Sequence, residues 1–245
     1  MEQFFKNIEG YQLLIIGVFF SLSLIISTSI VSGTLSRSGI EVTGSAVAIV
    51  KSDSASWDLD LLTASKNKKY AYDVLTKNKI IVLNYLKSQG FSDSEIEIQN
   101  TNSYPIFKKA TDSGEDTNEV DHYVISQTFR VTSNNIQLIK DVSLDAENLL
   151  NQGIDVKSNP PSYFYTKLGD LKIKLLNEAS EDAKRRAKAM LKSTGNWVGS
   201  IKSVKTGVFQ ITTPNSTEVS DYGVYDTSTI DKKVTAVTQV TFRIK

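Results

Sequence analysis

Apolar and polar positions along the chain follow three patterns, and each predicts a different kind of element. No charged side chain occurs from Gly10 to Ser36, and Leu13 to Val31 is dominated by Leu, Ile, Val and Phe. A helix rises about 1.5 Å per residue, so roughly 20 such residues cross a bilayer core, and Tyr11 stands where an interfacial aromatic anchor belongs. Residues 1–36 are therefore expected to be an N-terminal transmembrane anchor or signal segment. Cleavage stays open as the alternative, because Ser27, Ser29, Ser32 and Gly33 offer small residues to a peptidase. Against it, a signal peptide usually has a shorter apolar region of about 7 to 15 residues. Lys6 and Arg37 nearly cancel across the run, so charge gives the orientation little support.

From residue 37 to 245 the pattern switches between period two and period 3.6, which predicts a mixed α+β body. Ile40 to Leu62, broken only at Lys51-Ser52-Asp53-Ser54, reads as a hairpin of two strands. A helix follows from Ser65 to Gln89, with Ala71, Val74, Leu75, Val82 and Leu86 on one face and Gly90 as a left-handed stop. Strands near Ile96 to Phe107 and His122 to Thr132 flank a polar, mobile loop from Lys108 to Val120. Ser133 is placed to cap a second helix whose stripe is Ile136, Ile139, Val142, Ala146, Leu149 and Leu150, ending at Gly153. Ile154 to Tyr165 reads as an edge strand, since Asn159-Pro160-Pro161 cannot donate to a central ladder.

A third helix has the plainest stripe: Leu168, Leu171, Leu175, Leu176, Ala179, Ala183, Ala187, Met190 and Leu191. Its small alanines would let the backbone approach a sheet or helix closely, and Gly195 ends it. A final strand pair, Ser200 to Thr212 and Lys233 to Lys245, flanks another polar loop. Leu86-Lys87-Ser88-Gln89-Gly90 and Leu191-Lys192-Ser193-Thr194-Gly195 echo each other, as do Thr128-Phe129-Arg130 and Thr241-Phe242-Arg243. The echoes suggest two related helix-strand-strand units, with ordinary capping and strand alternation as the competing account.

Composition then narrows the chemistry. Lys+Arg 28 against Asp+Glu 27 gives a net charge of +1, so no global field gathers nucleic acid. Zero cysteines exclude disulfides, thiolate metal sites and cysteine nucleophiles. His122 is the single histidine, which excludes multi-histidine metal sites and most histidine relays, and it is expected to be an ordinary strand residue. Asp112, Glu115, Asp116, Glu119 and Asp121 read as a solvated acidic run without the spacing of a calcium loop. Lys184, Arg185, Arg186 and Lys188 read as an ion-paired surface with Glu181 and Asp182 nearby. No phosphate-binding glycine loop or nucleophile elbow occurs, so neither a catalytic residue nor a cofactor or metal is expected. Tyr163, Phe164 and Tyr165 are the candidate interface, with core packing as the plainer alternative, and Phe209, Tyr222 and Tyr225 form a second aromatic group.

The body resembles the SIMPL-domain family of bacterial envelope proteins over about Ile40 to Lys245. Val42-Thr43-Gly44, Gly90-Phe91, Ile96-Glu97-Ile98-Gln99-Asn100 and Tyr104-Pro105 carry the resemblance in the first half. Tyr123, Phe129-Arg130-Val131-Thr132, the helix Glu178 to Gly195 and the strand Val234 to Ile244 continue it in family order. Ser52-Asp53 stands where the family commonly has Pro-Asp, which bears on turn rigidity. The resemblance implies antiparallel sheets packed against long helices and export to the envelope. For some members it also implies large ring-like or channel-like oligomers and links to oxidative-stress defence and host immunity. It brings no established catalytic residues. The expectation is a non-enzymatic, single-pass bacterial membrane protein with an extracytoplasmic (periplasmic or cell-surface) body that self-assembles or binds a partner. The alternative is a monomeric exported ligand- or protein-binding module, and a serine-lysine or carboxylate hydrolase ranks last.

Overall fold

A computed structural model describes residues 15–28, 39–110 and 114–245 of the chain. It is α+β, with four helices and two mostly antiparallel sheets. Helix α1 covers residues 15–28, and its side chains are exposed throughout. The remainder of the expected apolar span lies outside the described residues. Among the described residues no helix is long and apolar enough to cross a membrane.

The strands are β1 (Gly39–Lys51), β2 (Ser54–Ser65), β3 (Ile96–Lys109), β4 (Asp116–Ser133), β5 (Val156–Ser158), β6 (Ser162–Phe164), β7 (Val198–Thr206), β8 (Gln210–Thr212), β9 (Val224–Tyr225) and β10 (Asp231–Ile244). Between them lie α2 (Lys68–Ser88), α3 (Ile136–Asp145) and α4 (Leu168–Lys192). One sheet runs β1-β10-β8-β9, with β7 also on β10; the other runs β3-β4-β2-β5, with β6 also on β2. The chain divides into two compact units: Met1–Ala46, Leu176–Gly207 and Val237–Lys245 form unit 1, and Val47–Leu175 with Val208–Ala236 forms unit 2.

Unit 2 is built on period two. Trp57, Leu59 and Leu61 of β2 and Ile125, Phe129 and Val131 of β4 face the core, where α2 contributes Ala71, Leu75, Val82 and Leu86. Asn67 caps α2 by accepting from the Tyr70 amide at 3.1 Å, and Gly90, at φ 104°, reverses the chain after it. Helix α3 buries Ile139, Val142 and Ser143 and continues as a 3-10 segment, Ala146–Gln152, that stops at Gly153 (φ 76°). In unit 1, α4 lays Ala183 and Ala187 against Val42, Val240 and Phe242.

Four local expectations need correction. β1 and β2 are both present but do not form a hairpin, because they belong to different sheets. Alternation predicts strands without naming partners, and the connection is held by distant groups: Ser52 N–H donates to the Ile230 carbonyl and Asp53 N–H to the Phe164 carbonyl, each at 2.9 Å. Of the polar loop expected from Lys108 to Val120, Lys108, Lys109 and Asp116 to Val120 are strand, since β3 and β4 stay paired out to Lys109 and Asp116, and residues 111–113 lie outside the described residues. With side chains largely exposed on both faces, those strand residues need no apolar alternation. Asn135, not Ser133, caps α3, accepting from the Leu138 amide at 3.1 Å, while Ser133 Oγ accepts from Asn135 N–H. Leu150 and Met190 lie off their stripes, 51% and 56% exposed. The expected edge strand does lie at an edge, as β5 and β6, each three residues long, on either side of the proline pair.

Candidate interaction surfaces

The aromatic triplet is not one patch. Tyr163 is a core residue at 7% exposure, its amide donating to the Thr227 carbonyl at 2.7 Å and its phenol pKa pushed up by burial. Phe164 and Tyr165 are half-buried. Phe164 lines a cavity of about 280 Å³ with Ser56, Asp58, Arg130, Asn159, Pro160 and Ser162. The surface part of the expected interface therefore falls to Phe164 and Tyr165.

That cavity opens on a polar network that the motif search passed over. Period two turns Asp58 and Asp60 away from the buried Trp57, Leu59 and Leu61, onto the face that bears Thr128 and Arg130 of β4. Arg130 grips Asp58 with two hydrogen bonds, 2.8 and 2.7 Å, which hold the guanidinium pKa above its ordinary value. Thr128 Oγ1 donates to Asp60 at 2.5 Å, and Asn159 Nδ2 donates to the other Asp60 oxygen at 2.8 Å. The alternating polar run Ser54, Ser56, Asp58, Asp60 was the available signal. Its carboxylates are already engaged, so the network ties the Asn159-Pro160-Pro161 crossing to the sheet.

The second aromatic group does converge. Phe209, Tyr222 and Tyr225 line a cavity of about 400 Å³ with Lys172, whose ammonium lies 5.4 Å from the Phe209 ring centre. Tyr222 is 97% exposed beside Gly223, whose φ is 86°. Lys232 is fully buried nearby in sequence, donating to the Asp226 and Thr229 carbonyls at 2.6 and 2.9 Å. Burial lowers its pKa and the Asp226 charge opposes that, so this cation clamps a turn.

His122 is a β4 residue whose Nδ1 lies 2.9 Å from Asp121. Of the acidic run, Asp112 lies outside the described residues and Glu119 pairs with Lys108 at 2.9 Å. Among the described residues no three metal-capable side chains gather.

The hairpin β3–β4 presents the largest change from the sequence expectation. β2 accompanies β4 only as far as the Ser65–Tyr123 pair, while β3 and β4 continue together to Lys109–Asp116. Beyond Tyr123 the hairpin is a two-stranded ribbon. Ile106, Phe107 and Val120 are 37, 38 and 38% exposed on this ribbon, and Tyr104, 46% exposed, lies just inside it, opposite Val124 where β2 still runs beside β4.

Asp182 corrects the basic face of α4. Its carboxylate is buried at 7% exposure and accepts from the Ser45 amide of β1 at 3.1 Å, from Arg185 at 2.5 Å and from Arg186 at 2.7 Å. The arginines are solvated as expected; the aspartate is not. The Ser45 amide first, then Arg185, lower its pKa; burial opposes them and Arg186 adds to the lowering. A carboxyl lowered by folding contributes stability above its unfolded value and loses it as pH falls through the folded one. Asp182→Asn should lower the thermal midpoint by a few degrees at neutral pH, and the gap to the parent chain should close as the pH falls below the ordinary carboxylate range. An equal gap at every pH in a thermal melt series would show that the charge is not the source.

A family model described as SIMPL, Protein of unknown function (DUF541), matches residues 40–242, which is most of the chain. No curated protein matches it.

Proposed function

The chain belongs to the SIMPL family, and on that premise we propose that it is a non-enzymatic, membrane-anchored protein of the bacterial envelope whose body lies outside the cytoplasm and works by self-association or capture of a protein partner. The exposed ribbon of β3 and β4 carries this reading. A two-stranded ribbon is at best marginally stable in water, and this one displays Ile106, Phe107 and Val120 instead of burying them, with Tyr104 exposed just inside its start. Contact with a second copy would cover those side chains and could extend the free edge of β3 by strand addition. The engaged state of Asp58, Asp60, Asp182 and Asp226 supports a role without catalysis.

Anchoring is supported by α1. Its apolar side chains, including Ile16, Phe19, Phe20 and Ile25 at 63 to 70% exposure, point outward on all sides. Ser21, Ser23 and Thr28 fold their hydroxyls back onto the Val18, Phe20 and Leu24 carbonyls at 2.8 to 2.9 Å, as a lipid environment demands. A stress-related setting is attached on the family resemblance alone. A shared plan for α2-β3-β4 and α4-β7-β10 is favoured by their common order, their antiparallel strand pairs and the burial of both Phe129 and Phe242. The cavity at Phe209, Tyr222 and Tyr225 favours the second reading, a monomeric ligand- or protein-binding module.

The full chain in detergent should scatter light as a defined multimer. Phe107→Asp and Tyr104→Asp should each weaken association by about tenfold or more, the loss typical of an interface anchor. Their circular dichroism should match the parent. A strict monomer over the whole concentration series would reject assembly and leave the binding module.

A further inference from the structure

The corner where α4 ends and β7 begins is chemically unlike the rest of unit 1. Trp197 is 76% exposed although its backbone is fixed, its N–H donating to the Lys245 carbonyl at 2.8 Å and its carbonyl accepting from Lys245 N–H at 2.9 Å. Beside it lies a cavity of about 430 Å³ lined by Lys188, Lys192, Gly195, Asn196, Trp197 and Val198. Lys188 and Lys192 stand one helical turn apart on α4, and neither has an ion-pair partner among the described residues. This sets them apart from Arg185 and Arg186, which are committed to Asp182. No Asp or Glu occurs from 183 to 206 or from 232 to 245, so Lys202, Arg243 and Lys245 add positive charge, while the neighbouring strand β1 brings Glu41, which accepts from Gln239 at 2.6 Å.

We propose that this corner is a membrane-surface contact, in which Trp197 seats at the lipid interface and Lys188 and Lys192 hold the phosphate of an anionic phospholipid headgroup. An indole suits that position because its body is apolar and its N–H remains able to bond in the headgroup layer. Lysines suit the phosphates, and each strengthens attraction to an anionic leaflet by about fivefold. The reach of the chain agrees. From Thr28, the last described residue of α1, to Gly39 is eleven residues, at most roughly 40 Å even fully extended. Gly39 lies against Thr241, Phe242 and Lys202, three to four residues along β10 from the level of Trp197, a distance of about 10 to 14 Å. A body tethered at Gly39 thus keeps Trp197 within reach of the bilayer that would hold α1. The inference rests on the proposed anchoring of α1 for that proximity, while the chemistry of the corner stands apart from it.

The test uses the full chain with phosphatidylcholine vesicles, with or without about one third phosphatidylglycerol, and reads indole quenching by brominated lipid. Trp57 is 1% exposed, so Trp197 is the indole open to quenchers, and Trp197→Phe identifies its share of the signal. Quenching is expected in the anionic vesicles and should weaken about fivefold for each of Lys188→Ala and Lys192→Ala, and further with salt. Flotation with neutral vesicles in high salt reports α1 by itself. If the chain floats there while Trp197 stays open to aqueous acrylamide in both lipids, the corner contact is overturned and the anchor stands. If it fails to float there but binds anionic vesicles through Lys188 and Lys192, the anchor fails and the contact stands. No binding to either vesicle overturns both. Quenching that is equal in neutral and anionic lipid, or protection of Trp197 that rises with protein concentration in detergent, overturns the headgroup contact.

Discussion

Replacing Gly44 with alanine should destabilise unit 1 by about 3 kcal/mol, at the upper end of the cost of overpacking. The residue sits where β1 crosses α4. A Cβ built there would fall within contact distance of the Ala179 carbonyl oxygen and the Ala183 amide nitrogen, and 2.8 Å from Ala183 Cβ. Two of these obstacles are helix backbone, which cannot rotate aside as a side chain can. Ala179 and Ala183 are both fully buried, so the helix has no open direction to retreat without uncovering the core formed by Val42, Val240 and Phe242. The Ser45 amide bond to Asp182, one residue along, would be pulled out of line by the same displacement. Hydrogen exchange in residues 179–191 should accelerate on the order of a hundredfold, the rate equivalent of that loss. Thr43→Ala, on the exposed side of β1, is the control and should stay within about 0.5 kcal/mol of the parent. Equal exchange in the Gly44→Ala and Thr43→Ala chains would mean that the close approach carries no energy.

Phe129→Ala should cost unit 2 about 3 to 5 kcal/mol, the range for truncating a fully buried aromatic. Phe129 is 0% exposed on β4, in register with Leu59 of β2 on one side and Ile98 of β3 on the other. Truncation leaves a void at the middle strand of three, where the neighbouring ladders resist collapse. Phe107, on the outer part of the same hairpin, is the informative comparison. It is 38% exposed, so Phe107→Ala should change stability by no more than about 0.5 kcal/mol while still weakening association. Denaturant unfolding followed by Trp57, which lies in the same core as Phe129, reads both variants. A loss below about 1 kcal/mol for Phe129→Ala would remove it from the core's main supports.

Helices α2, α3 and α4 were legible in the sequence because each packs with one face only. Leu175, Ala179, Ala183, Ala187 and Leu191 repeat at strict four-residue steps, and all are buried in α4. Met190 fits a three-residue step equally well in sequence, but it lies about 100° around the helix from Leu191 and faces outward. The anticipation that small alanines allow close approach found its counterpart in Gly44, although the identity of the facing strand was invisible. Pairing is a long-range property: Ser45 meets Asp182 across 137 positions, and neither residue's neighbours signal the other. Polar composition also misplaced the ribbon tip, where Thr117 donates to the Lys108 carbonyl at 2.8 Å and Glu119 pairs across to Lys108. A strand wet on both faces satisfies its backbone through its neighbour alone and leaves no apolar period to detect. Tyr163 failed as a surface residue because adjacent strand positions point to opposite faces, so three consecutive aromatics cannot share one.

The two borders of the unit 2 sheet differ in a way that sets the symmetry available to any assembly built on it. On one side, the chain crosses at Asn159-Pro160-Pro161 and contributes only two three-residue strands, a border too short and too poor in donors to template another strand. On the other side runs β3, fourteen residues long and accompanied on one flank only. A sheet with two competent borders can add copies without end and grow a filament. Along the three-stranded part β3 is the one long free border, and two copies meeting there edge to edge would consume each other's valence and close as a two-fold pair, whereas on the ribbon β4 is free as well from Asp116 to His122. The prolines thus close one border of the three-stranded part, and a ring larger than a pair would have to draw its second contact from the β4 flank of the ribbon or from a surface other than this sheet.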